Sequence, residues 1–330
     1  MITYLNILVD MSLLAMLLIV AVQILRAQSP LTVTILSGLY SLTICALFVV
    51  MDAVDVAFTE AAVGAGIATV LVISVVRFVD EPDAVLAWPS TSTIVIACAL
   101  GAMLLFGTLD MPWYGDPTAP VHNHLAPRFL GQSGTEIGIP NVVTSVLASY
   151  RGYDTLGEVV VIFTAGTAVM ILLSGHNVAN EGVEKSSTRL FSLPVLRLIL
   201  VRIIPLVILF ALYVQFHGDY GPGGGFQAGV IFGAGLITYG LLAGADKVLA
   251  IISRRWITIG MASGVLVYGM VGVEAMILGG EFLNYSVLAS SQTVGQHIGI
   301  LVIEFGVGLT VAFTMLSLYT SFNSPQYEDS

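Results

Sequence analysis

Charge is what this 330-residue sequence holds least of: only 10% of its residues are Asp, Glu, Lys or Arg. A soluble domain carries about 25%, so the chain has too little polar surface to stay dispersed in water. Cysteine is nearly missing too. The two present, Cys45 and Cys98, sit inside apolar stretches and read as small hydrophobes, which excludes a disulfide-stapled secreted domain. No Cys/His cluster has metal-ligand spacing, and nucleophilic triads, redox motifs and cofactor fingerprints are absent, so no cofactor is expected. Bases are scarce beside acids, 11 against 21, giving a net charge of −10. That sign is wrong for a nucleic-acid partner and suits cation traffic.

Apolar length is what the chain has in abundance. It is 57% hydrophobic, with mean hydropathy +0.95. Charge-free runs cover Thr91–Leu109, Val159–Ser174, Ile203–Phe216 and Ile257–Val273, approaching the roughly 20 residues needed to cross a bilayer. The runs are continuous, without two-residue alternation, so helices are expected in place of a barrel. The expected fold is all-α and polytopic, with about nine spans: 4–25, 31–50, 56–77, 91–109, 155–174, 198–216, 226–245, 256–278 and 295–319. Met1–Asp10 holds no Lys or Arg, so the first span is expected to be retained and not a signal peptide. Gly225, Gly229 and Gly233 recur at four-residue spacing and predict a smooth face for close helix contact.

Nine of the 11 basic residues fall on one side of these spans (Arg26, Arg77, Lys185, Arg189, Arg197, Arg202, Lys247, Arg254 and Arg255), against Arg128 and Arg151 on the other. The positive-inside rule then places the N-terminus outside and the C-terminus in the cytoplasm. Polar stretches at Asp80–Asp83 and Asn177–Ser192 divide the chain into three parts: 1–80 with three spans, 90–178 with two spans around a long loop, and 195–325 with four. The long loop, 110–154, carries five prolines and cannot be one helix. Its segment Asn141–Ser149 has helical potential and could lie along the membrane surface.

An acid inside the bilayer costs several kcal/mol, which makes it a functional candidate by default. The set is Asp10, Glu60, Glu158, Glu274 and Glu304, with Asp52, Asp55, Asp154 and Asp219 at span ends, joined by His217 and His297. Under the orientation above, nearly all lie in the outer half of the membrane, an acidic vestibule without a complete path. Each also has a structural reading: a cap, a surface reach, or a hydrogen bond between helices. Glu60 is followed by small residues that would let a neighbouring backbone approach. Asp154 and Glu158 share one helix face, with Thr155 beside them; His297 and Glu304 are two turns apart on one face, suited to a proton relay through water. The run Gly221-Pro222-Gly223-Gly224-Gly225 lacks the Lys-Ser/Thr of a phosphate loop and reads as a tight re-entry held against a neighbour.

Three stretches carry a family resemblance. His217 with Gly221–Phe226, followed by further spans, resembles the B subunit of the Mrp (Mnh) multisubunit cation/proton antiporters. Asp55–Gly64 resembles the MbhD-like domain, and Tyr150–Glu158 the MbhE-like domain. In many Mrp systems the latter two end the large A subunit, whereas here they appear fused to B; the same three parts are separate subunits in membrane-bound hydrogenase complexes. The resemblance implies a non-autonomous subunit of a Na+/H+ antiporter in a bacterial inner membrane, not an enzyme. It implies other Mrp subunits of the A, C, D, E, F and G types as partners, with lipid, Na+ and H+. By motif it carries over Glu60 and Glu158 as Na+ or proton groups, with Thr59 and Thr155 supplying hydroxyls. Asp55, Asp154, His217, Glu274, His297 and Glu304 rest on the chemistry alone. The alternatives are an ion-translocating part of a hydrogenase-like redox complex, or a scaffold.

Overall fold

The computed structural model of the chain describes residues 2–76, 90–113, 115–174 and 194–323. The linker Asp80–Asp83, the stretch Asn177–Ser192 and three of the expected inner-side bases (Arg77, Lys185, Arg189) lie outside the described residues. Two compact units are present, one of residues 1–79 with 133–330 and a smaller one of 80–132.

The described residues form helices and no strand. Eight helices are long and apolar enough to cross a membrane: α1 (Ile2–Arg26), α2 (Pro30–Val50), α3 (Val54–Val76), α7 (Gly152–Ser174), α8 (Pro194–His217), α9 (Gly225–Ala243), α11 (Arg254–Ile277) and α12 (Gln292–Asn323). The shorter elements are α4 (Thr91–Gly107), α5 (Ala126–Glu136), α6 (residues 142–150) and α10 (Ala245–Ile251). The expected span 91–109 thus becomes α4, only 17 residues and about 26 Å long. That falls short of the roughly 30 Å hydrocarbon core.

Outside the core, the helices present apolar faces that water would not tolerate: Leu18, Leu25, Leu206, Leu209 and Leu105 are all exposed. These are lipid or neighbour-helix faces. The α3 helix is not uniform. Its residues Ala61–Ala68 form a wide π segment, and the Thr69 hydroxyl donates to the Gly64 carbonyl five residues back at 3.2 Å. Each wide turn shifts the register of the helix beyond it.

The larger unit is built around α12, which packs against α7, α9 and α11. The reason is the glycine spacing. A Cβ at Gly225 would stand inside the Glu304 carbonyl, one at Gly229 would meet Gly308 and one at Gly233 Ala312. The α9 glycine face therefore lies on positions 304, 308 and 312, each a turn apart. Around this seam Met261, Tyr268, Tyr285, Ile300 and Ile303 are fully buried.

In the smaller unit, Ser90 caps α4 by accepting from the Thr93 amide at 3.2 Å. The Asp116 carboxylate accepts from both the amide and hydroxyl of Thr118; those bonds hold it below the usual carboxylate range. His122 and His124 are exposed.

Candidate functional site

The chain from Phe216 to Gly225 must turn sharply between two spans. Gly224 takes φ 114°, in the left-handed region that favours glycine. Its amide donates back to Val214 at 3.1 Å, closing the turn.

The turn is gripped from α6. The Asn141 side-chain amide donates to the carbonyls of Gly218 at 3.1 Å and Gly221 at 3.0 Å. The Thr144 hydroxyl donates to Gly218 at 2.7 Å, and the Asn141 backbone amide donates to Asp219 at 3.0 Å. The segment Asn141–Ser149, expected as a surface helix, is instead built into the packing: Asn141, Thr144, Ser145 and Ala148 are buried. From α3, the Asp55 carboxylate accepts from the Gly223 amide at 3.3 Å.

Beside this turn lies a cavity of about 630 Å³. Its walls are mainly apolar, with Val143, Leu147, Val159, Ile162, Phe226 and Ile303 among them. Polar groups reach it from three parts of the chain: Asp55 and Thr59 on α3, Thr155 and Glu158 on α7, and Gly223–Gly225, Gln227 and Glu304 from the last part. The N-terminal end of α9, where the helix dipole is positive, borders the same space. The Glu304 carboxylate packs against Gly218 and Gly224, twelve residues into α12 and thus roughly 18 Å along it. Glu304 lies within electrostatic range of Asp55 and Asp219.

Two buried phenols stand near the same acids. The carboxylates of Glu158 and Glu304 both act on Tyr268. The Tyr268 hydroxyl donates to Gly152 at 2.7 Å and that of Tyr285 to Ala148 at 3.1 Å. Burial holds the Tyr285 phenol above its ordinary range, so it remains a hydroxyl.

The other expected site residues lie elsewhere. Glu60 does not line the cavity; its carboxylate curls back toward Gly64, where Ser41 of α2 also comes close. Asp154 pairs with Arg151 at 2.6 Å, with both side chains more than half exposed. His217 stacks on Tyr213 at 4.9 Å between ring centroids. Glu274 is exposed near the end of α11. His297 Nδ1 stands 2.7 Å from the Asp219 carboxylate. Asn141, Thr144, Gln227, Tyr268 and Tyr285 were not among the expected site residues. Gln227 alone carried a signal, as an amide two residues past a glycine run in an apolar helix.

Among the described residues no group of three or more His, Cys, Asp or Glu is close enough to hold a metal ion together. The cavity acids therefore do not form a cage.

Parts of the chain are similar to known proteins. The family described as a domain related to the MnhB subunit of Na+/H+ antiporter matches residues 195–317. The families of the MBH D and E subunits match residues 15–81 and 92–189. A relative named as a probable K(+)/H(+) antiporter A/B subunit, from Rhizobium meliloti (strain 1021), is 26% identical over 330 residues, covering 88% of this chain and 32% of its own length. A chain of the Mrp complex from Dietzia sp. DQ12-45-1b superposes with a TM-score of 0.74 and 24% identity, over 96% of this chain and 35% of that one. The fold is therefore shared with that chain, and this protein spans about a third of either relative.

Proposed function

We infer that this chain, which carries MbhD, MbhE and MnhB-related domains in that order, is a membrane subunit of a multisubunit cation/proton antiporter. The observation that carries the reading is the cavity where Asp55, Glu158 and Glu304 converge from the three matched regions. The names of the matched family and of the Rhizobium relative support antiport as the activity.

The chemistry follows from the lining. Carboxylate, hydroxyl and carbonyl oxygens suit a hard monovalent cation. Thr59, Thr155 and the Gln227 amide supply neutral oxygens between the acids. A carboxylate that takes a proton loses most of its attraction for the cation, so competition at one acid gives exchange. Acids that line an apolar cavity without clustering into a cage favour transfer over retention. Na+ and K+ both fit this chemistry, with Asp55, Glu158 and Glu304 as the ion-handling groups. Glu60 acts at the α2–α3 contact.

Asp55 and Glu60 lie in the first two turns of α3 and Glu158 in those of α7, and Glu304, deeper along α12, packs on the 218–224 turn, whereas Arg26 ends α1 and Arg254 and Arg255 begin α11. With the basic end cytoplasmic, the cavity opens toward the outer face of a bacterial inner membrane. The path to the inner face is completed by other antiporter subunits.

The test is exchange by the assembled complex in inverted vesicles, comparing Asp55→Asn and Glu304→Gln with the parent. Loss of cation-driven proton movement, with the complex still assembled, is the expected result. Unchanged exchange in both variants overturns the reading and leaves the cavity a structural feature.

A further inference from the structure

We propose that Asp219 and His297 form a proton-transfer dyad that supplies Glu304, and through Glu304 the cavity. This rests on reading the cavity as an exchange site. His297 Nδ1 stands 2.7 Å from Asp219 Oδ2, and the two side chains differ sharply in access: His297 is 45% exposed, Asp219 8%. One contact thus links the outside of the chain to its interior.

The next group inward is already placed. Glu304 is seven residues beyond His297 on α12, two turns or about 10.5 Å along the same face. Its carboxylate packs on Gly218, the neighbour of Asp219, and Asp219 and Glu304 act on each other electrostatically. The charged groups facing this point are Asp219 from the turn, Glu304 from α12 and Asp55 from α3, with His217 two residues before Asp219. A run of carboxylates with one imidazole at its open end has the composition of a proton path.

The backbone holds the dyad still. The Asp219 carbonyl accepts from the Asn141 amide, and the Gly218 carbonyl beside it accepts from Asn141 and Thr144. Burial raises the Asp219 carboxyl above its ordinary range and the His297 contact opposes that rise. Such an acid can hold a proton and then release it.

The transfer balances without any redox partner. His297 takes a proton at Nε2 from the outer solution and passes its Nδ1 proton to Asp219 Oδ2. Asp219 then gives that proton through water to the Glu304 carboxylate, which packs on the neighbouring Gly218. The imidazole, now protonated on Nε2, regains its starting tautomer by exchange with solvent, and Asp219 returns to carboxylate.

The experiment uses the assembled complex in proteoliposomes, with proton movement followed against pH and against Na+ and K+ concentration. His297→Gln and Asp219→Asn are each expected to lower the maximal rate about a hundredfold, the low end for a positioned proton-transfer group. The cation concentration giving half-maximal rate should stay unchanged. The double variant should be no slower than the slower single, because both act in one path. Parent-like rates and pH profiles in both singles, with Glu304→Gln inactive, overturn the dyad and leave the cavity reading standing. Normal exchange by Glu304→Gln and Asp55→Asn removes the cavity reading and the dyad with it. If Asp219→Asn fails to assemble, the decision falls to His297→Ala, altered at a half-exposed position. Recovery of its exchange by added free imidazole supports proton delivery, and no recovery overturns it.

Discussion

The side-chain amide of Gln227 donates to the Thr59 hydroxyl across 2.8 Å, joining residues 168 apart in the chain. One helical turn earlier the Gly223 amide meets Asp55, also 168 apart. A constant separation over two contacts means that α3 and the start of α9 run parallel, in register, with their beginnings at one end. The cavity is therefore floored by two helix starts, each carrying polar groups at i and i+4 on the shared face.

Asp55 and Glu60 separate cleanly by experiment. Asp55→Asn should raise the cation concentration needed for half-maximal exchange about tenfold or more, the effect of losing a charged ligand in a poorly solvated site. Glu60→Gln, off the cavity, should leave that concentration unchanged and act on the thermal stability of the complex. Cation titrations of exchange in the two variants, with a melting curve for each, check both halves.

Glu158 and Asp154 are one turn apart and both exposed, but only Glu158 lines the cavity. Asp154 is an exposed partner of Arg151, a contact worth about 0.2–1 kcal/mol at most. Asp154→Asn should exchange like the parent, while Glu158→Gln should be impaired. Initial rates in vesicles of equal complex content decide it.

The glycine seam predicts a steep position dependence. Gly225→Ala would drive a methyl into the Glu304 carbonyl and should cost upward of about 1–3 kcal/mol. Gly269→Ala meets nothing within 4 Å and should stay within about 1 kcal/mol of the parent. Thermal unfolding of purified complex gives the comparison.

Asn141 is the grip on the turn. Asn141→Ala leaves the Gly221 carbonyl without that donor and removes one of the two side-chain donors to Gly218, at a cost of roughly 1–3 kcal/mol per buried group left unpaired. Faster proteolysis between Gly218 and Gly224 is the expected sign. Unchanged cleavage would show that Thr144 and the Asn141 backbone amide hold the turn unaided.

Asp219 gives a pH dependence of unusual sign. Its carboxyl is raised in the fold, by burial first and against the pull of His297. Within this group's window the folded state binds the proton that the unfolded state has lost. Stability from Asp219 is therefore greatest below the ordinary aspartate value of 3.8 and falls as pH rises toward the raised value. Asp219→Asn should flatten that part of the curve of melting temperature against pH.

Much of this was legible in the sequence. Gly225, Gly229 and Gly233 announced a contact face by spacing alone, and α12 occupies it. Acids within or at the ends of apolar runs drew out Glu158, Glu304 and Asp55, together with Asp10, Glu60 and Glu274, and the first three line the cavity. Their convergence was not legible, since it depends on how helices far apart in sequence meet. Glu60 and Asp55 look alike as letters five residues apart, yet on a helix five residues is about 500° of rotation and turns one toward α2 and the other toward the cavity. Asn141 sat in a proline-rich loop, at the start of a segment expected to lie along the membrane surface. The α4 helix is shorter than the run that suggested it: the charge-free stretch continues to Leu109, but the helix ends at Gly107, where the chain turns.

The reach of 168 residues between Asp55 and Gly223 has a consequence for biogenesis. Ribosomes add about 5–20 residues per second, so Asp55 enters the membrane on the order of ten to thirty seconds before Gly223 is made. Glu304 emerges later still. Throughout that interval the first three spans carry an acid whose amide donor has not been synthesised. They need a temporary companion, from lipid headgroups, water or an insertion factor, until the glycine turn arrives.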